Sequence, residues 1–192
     1  MKKQTKIMLI VIAIVVLVVA IITGVVLTKS GDLGTGKNNE VKSNFNVQSV
    51  NDLQNIVTNL YAGLEDKLPG SLNTTVIDTT DAEQFKFATG LSSSEGVEYA
   101  IMSEPMMSSQ AYSLILMKVV DGVDANQIAK TMSESIDTRK WICVTAEKLY
   151  ATNSGNVVCL VMASEEWARP VYENFKTIAG SIGQEYTKIE AM

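Results

Sequence analysis

Cys143 is the one side chain whose neighbours could make it a nucleophile. A thiol reacts as its thiolate, which nearby cations favour, and Arg139, Lys140 and Lys148 lie close to it along the chain. Its flanks, Trp141-Ile142 and Val144, are instead those of a packed, inert thiol. Cys159, in Val158-Cys159-Leu160, reads the same way, although the two cysteines could act as a redox couple if their Cα atoms were close enough to bridge. Acid and base chemistry would need paired carboxylates. Glu95, Glu98 and Glu104, or Asp78 with Asp81, are the candidates, with Glu98 and Glu104 the pair for a hydrolase. Their spacing fits neither an EF-hand loop nor a glycosidase pattern, so solvated surface acids are the simpler reading. Met102, Met106 and Met107 could offer thioethers to Cu(I), but a methionine-rich turn beside Pro105 fits a flexible apolar contact surface better. Trp141 and Trp167 could stack on a sugar ring; Trp167 falls on an apolar helical stripe, which favours core packing.

The chain contains no histidine. That removes Ser-His-Asp and Cys-His catalysis and the HExxH zinc site together. Neither GxxxxGK[ST] nor GxGxxG occurs. No catalytic, cofactor-binding or metal-binding residue is therefore assigned. The leading reading is a non-enzymatic binding domain, with a carboxylate-pair envelope hydrolase and a thiol redox protein as alternatives.

The elements that would position these residues begin with a membrane anchor. Residues 7–27, IMLIVIAIVVLVVAIITGVVL, form an uncharged run. As a helix it would be about 31 Å long, the thickness of a bilayer's hydrocarbon core. The run lacks a small-x-small cleavage site, so an uncleaved signal anchor is expected. Lys2, Lys3 and Lys6 put residues 1–6 in the cytoplasm and the rest outside the cell, a single-pass arrangement at the cell membrane. Setting those three lysines aside leaves 13 basic residues of 16 against 21 acidic ones, a net of −8 for the outer part. That sign excludes nucleic acid as a partner. Expected partners are the membrane, through residues 7–27, and a protein or envelope component.

Residues 28–48 read as a flexible linker rich in Gly, Lys, Asn and Ser. Globular patterning spans 49–182, followed by a tail at 183–192. Leu53, Ile56, Val57, Leu60, Leu64 and Leu68 form a helical stripe opened by Ser49 and Asp52 and stopped by Pro69-Gly70. A short extended segment follows at 72–78, then a helix from Asp81 to Ala88 closed by Gly90. Two strand-strand-helix units come next. The first has strands at 97–104 and 111–120 and a helix begun by Asp124. The second has strands at 147–152 and 157–163 and a helix after Ser164 in which Pro170 forces a late start or a kink. Residues 138–146 read as an extra extended segment. The expected fold is α+β: an N-terminal transmembrane helix, then a two-layer domain with a four-stranded antiparallel sheet and helices on one face. The nearly continuous apolar strands 111–120 and 157–163 are expected at its centre.

The run Arg139-Lys140-Trp141-Ile142-Cys143-Val144-Thr145-Ala146-Glu147-Lys148, with Asn153-Ser154-Gly155 and Val157-Val158-Cys159-Leu160-Val161-Met162 after it, resembles a family of Gram-positive bacterial extracytoplasmic domains of unknown function, carried by membrane anchors or lipoprotein signals. The likeness covers about residues 50–182. It implies a small α+β domain outside the cytoplasm. This chain lacks the lipobox cysteine of lipoprotein members, and the resemblance carries over no catalytic residue.

Overall fold

The computed structural model describes residues 42–190. The segment expected in the cytoplasm, the expected transmembrane helix at 7–27 and most of the expected linker lie outside the described residues. Among the described residues no helix is long and apolar enough to cross a membrane. The last part of the expected linker already belongs to the domain. Asn44 N–H donates to Ala179 O at 3.1 Å, the Phe45 ring lies 5.4 Å from that of Phe175, and Val47 is buried.

Helix α1, Val50–Tyr61, opens as its sequence dictates: the Ser49 hydroxyl accepts from Asp52 N–H, and Asp52 accepts from Gln48 N–H at 2.9 Å. It stops earlier than Pro69-Gly70 because Ala62 leaves the helical region, with ψ of 124°, and Gly63 adopts a positive φ of 75°. A 3-10 turn at Glu65–Lys67 follows, and Leu64 just before it stays buried. Strand β1 is Leu72–Val76, and α2 is Ala82–Thr89, capped by Asp81 and closed by left-handed Gly90. Then come β2, Val97–Pro105; β3, Ser113–Val119; and α3, Ala125–Ser135, capped by Asp124. Strands β4, Lys148–Ser154, and β5, Val157–Ala163, form a hairpin. Helix α4, Glu165–Ala179, starts early and continues through Pro170, which forgoes the bond to the Glu166 carbonyl. A last strand, β6, is Tyr186–Ile189.

The expected four-stranded, two-layer domain is overturned. The sheet has six strands, ordered β1-β2-β3-β5-β4-β6 and antiparallel at every step. Segment 72–76 adds a strand to one edge, and the supposed tail adds the other. Helices cover both faces. On one, α1 and α4 pack Leu53, Leu60, Val171 and Phe175 against Leu114, Leu116, Cys159 and Val161. On the other, α2 and α3 pack Phe85, Ala129 and Met132 against Ile115, Met117, Val158 and Leu160.

The connections explain the two faces. The chain crosses from β3 through α3 to β4, and from β5 through α4 to β6, each time passing over one strand in the same direction. Because β3 and β5 are antiparallel, two crossovers of the same hand must leave the sheet on opposite sides, and nearly all such crossovers share one hand. Strands β3 and β5 consequently lie side by side at the centre, with all seven positions of each buried.

Candidate functional site

After α3 the chain forms a compact loop at residues 138–146, where an extended segment was expected. Ala146 N–H donates to Thr138 O at 2.9 Å and closes its ends together, the geometry of an Ω-loop. One end is held near β6, where Thr138 Oγ1 lies 3.1 Å from Glu190 Oε1. From there Lys140 reaches over the sheet to β2 and β3. Its ammonium stands 2.7 Å from Glu104 Oε1 and donates to Ser113 Oγ at 3.3 Å, with Met102 Sδ at 3.8 Å. The Phe87 and Trp141 rings flank it at 5.6 Å and 5.4 Å. Only 2 % of this side chain is exposed. Burial pushes the Lys140 ammonium below the usual lysine range, while the Glu104 carboxylate pulls the other way. The lysine is thus a fastener, its charge matched by one acid.

The tip of the loop is open. Ile142 is 71 % exposed, and Cys143 is exposed with φ of +61°, a left-handed conformation that strains any residue with a Cβ. Two of the cations expected to activate Cys143 are engaged elsewhere: Lys140 with Glu104, and Lys148 over the Tyr150 ring at 5.4 Å. Cys159 is a free thiol buried on β5 among the α1 and α4 side chains, and desolvation pushes its pKa up strongly. The loop carrying Cys143 is fastened over the opposite face, so the central sheet stands between the two sulfurs.

The proposed acid pair is also separated. Glu98 and Glu104 are six positions apart on β2, about 20 Å along a strand, whereas paired glycosidase carboxyls stand about 5 to 9.5 Å apart. Each binds its own lysine. A register shift between Val97 and Tyr99 accompanies the contact of Glu98 Oε2 with Lys118 Nζ at 3.1 Å. Asp78 is occupied by Thr80, whose N–H and hydroxyl donate to it at 2.8 and 2.7 Å, and Asp81 caps α2.

A cleft of about 500 Å³ lies where the chain enters the domain, lined by Phe45 to Gln48 with Glu98, Lys118, Asp121 and Asn156. Lys118 is its buried cation. The ammonium donates to Glu98 Oε2 and to Val119 O, each at 3.1 Å, and lies 3.8 Å from Asp121 Oδ1, so two acids neutralise it. A lone lysine inside the apolar run of β3 was the sequence signal for this cluster.

At the far end of the sheet the surface is different. Met106 and Met107, 78 % and 65 % exposed, follow β2 directly, and the Lys140–Glu104 contact brings Ile142 to the same end. Phe87 is also exposed there beside Lys140. Met102 belongs to the strand beneath Lys140, so the three methionines do not face a common point. Trp141 is partly buried against the α2 and α3 side, and Trp167 packs against the α1 and α4 core. No family model, no curated protein and no solved structure matches this chain.

Proposed function

We propose that this chain is a non-enzymatic binding domain outside the cytoplasm, tied to the cell membrane through residues 7–27, that receives a protein partner on the end formed by Met106, Met107, Ile142 and Phe87. The observation that carries this reading is the gathering of four large exposed apolar side chains at one end. The chain enters the domain at the other end, where Ser43 Oγ meets Ser154 Oγ at 3.0 Å. Exposed apolar groups cost hydration free energy and mark interaction surfaces, and methionine is enriched at interfaces because it adapts to its partner's shape. The net charge of −5 disfavours an anionic lipid surface as the occupant.

A photocrosslinking residue at position 107 of the full-length chain, in intact cells, tests it. The expected result is one captured protein that disappears on adding Ile142→Glu, with the thermal midpoint unchanged. Equal capture from position 51 on α1, or capture indifferent to the Ile142 substitution, would overturn it.

A further inference from the structure

The two edges of the sheet are guarded differently. Edge strand β6 carries Lys188, which pairs with Glu190 at 2.8 Å, and Glu185 precedes it. Charges of this kind keep an open edge from pairing with another strand. Edge strand β1 reads Leu-Asn-Thr-Thr-Val, with no charge, no proline and no bulge in its pairing with β2.

The register fixes which backbone groups of β1 point outward. Met106 N–H donates to Ser71 O at 3.3 Å and Ile77 N–H to Ala100 O at 2.9 Å, so the odd-numbered residues of this segment bond to β2. Leu72, Thr74 and Val76 therefore turn their N–H and C=O groups away from the sheet. Among the described residues, none of these groups has a side-chain or loop partner. Val76 is 56 % exposed, although it is aliphatic and part of the sheet.

We infer that β1 is a self-pairing edge, and that two copies of this chain join there, antiparallel, about a two-fold axis at Thr74. This register is the one that uses every outward group. Thr74 faces Thr74 of the second copy and Leu72 faces Val76 in both directions, with two hydrogen bonds in each of these three pairs. Shifting the axis to residue 73 or 75 leaves only two such pairs. The same register sets Leu72 against Val76 on one face, an aliphatic match that covers the exposed valine, and Asn73 against Thr75 on the other. An isologous contact of this kind closes on itself and leaves the charged β6 edges outermost. Two six-stranded sheets become one continuous sheet. The occupant is a second copy because the strand is complementary to itself in length, polarity and charge.

Site-directed disulfide formation in membranes holding the full-length chain tests this. In a Cys143→Ser background, Thr74→Cys places two thiols on Cα atoms about 5.5 Å apart across the axis, within bridging range. Mild oxidation should convert Thr74→Cys to a covalent dimer at least about tenfold faster than Ile189→Cys on the β6 edge, since pairing raises the local thiol concentration. Adding Val76→Lys should abolish the difference. Equal rates at both edges, or a Thr74→Cys rate unmoved by Val76→Lys, would overturn the proposal. Sedimentation of the chain in detergent supplies a second readout that needs no cysteine at the axis: Val76→Lys alone should shift dimer to monomer, and an unshifted species would equally overturn it.

Discussion

Lys140 Nζ stands 2.7 Å from Glu104 Oε1, and this ion pair ties the loop after α3 to the strand on the far side of β3. Lys140→Met should destabilise the domain by about 1 to 3 kcal/mol, because it leaves a partly buried carboxylate without its cation. Lys140→Met with Glu104→Leu should recover most of that loss, since an apolar pair needs no desolvation of charge. Urea unfolding of the two variants checks this, and a double variant no more stable than the single one would show that the loop is held by something else.

Gly90 closes α2 with φ of +78°, and a Cβ built there would lie 2.5 Å from the Ile136 nitrogen at the end of α3. Gly63, at φ of +75°, has nothing within 4 Å of the same position. Gly63→Ala should therefore cost only the left-handed strain, about 1 to 2 kcal/mol. Gly90→Ala must also move a backbone, and a total of about 3 kcal/mol or more is expected. The difference between their thermal midpoints measures the contact between the two helices.

Hydrogen bonds from Gln48 N–H, and then from the Ser49 hydroxyl, hold the Asp52 carboxyl below the usual carboxylate range. A depressed folded pKa gives stability that is present above the ordinary carboxylate pKa and lost as pH falls through the lowered one. Asp52→Asn should flatten this part of the acid limb and leave the slope at neutral pH unchanged, as read from denaturation midpoints across pH.

Thiol counting separates the two cysteines. A maleimide should label Cys143 in the folded protein and reach Cys159, buried and with its thiol pKa pushed up, only after unfolding. Rapid labelling of both in native buffer would show that β5 opens. Cys143→Gly should stabilise the loop by about 1 kcal/mol by removing left-handed strain, observable as a higher midpoint.

Local features of the fold were legible because local residues cause them. Ser49, Asp81 and Asp124 cap helices where their side chains can reach the next turn, and Gly90 stops one where a left-handed residue is needed. Strand β6 was not legible, for its four residues are held by Lys148 to Ala151, some forty positions earlier. The second helical layer was written more plainly than the two-layer expectation allowed. An unbroken apolar run such as Leu114 to Met117 has no solvent side, and that requires cover on both faces. At the candidate site, the methionine turn was readable from composition. The fastening of Lys140 to Glu104 was not, because it joins residues that only the loop's path brings together.

The pairing of β3 with β5 also sets the order in which the molecule can be completed. Their partners run from Ser113 with Met162 to Lys118 with Val157, so the central seam joins residues 39 to 49 positions apart. A chain delivered amino end first, whether from the ribosome or through a translocation channel, presents β2 and β3 with one bare apolar edge until β5 arrives. Any product ending before Met162 lacks part of that seam, and one ending before Tyr186 exposes the β4 edge that β6 normally covers. Proteolysis of unfinished or clipped chains should therefore be all-or-none near the carboxyl end, with the last strand acting as the seal on a finished domain.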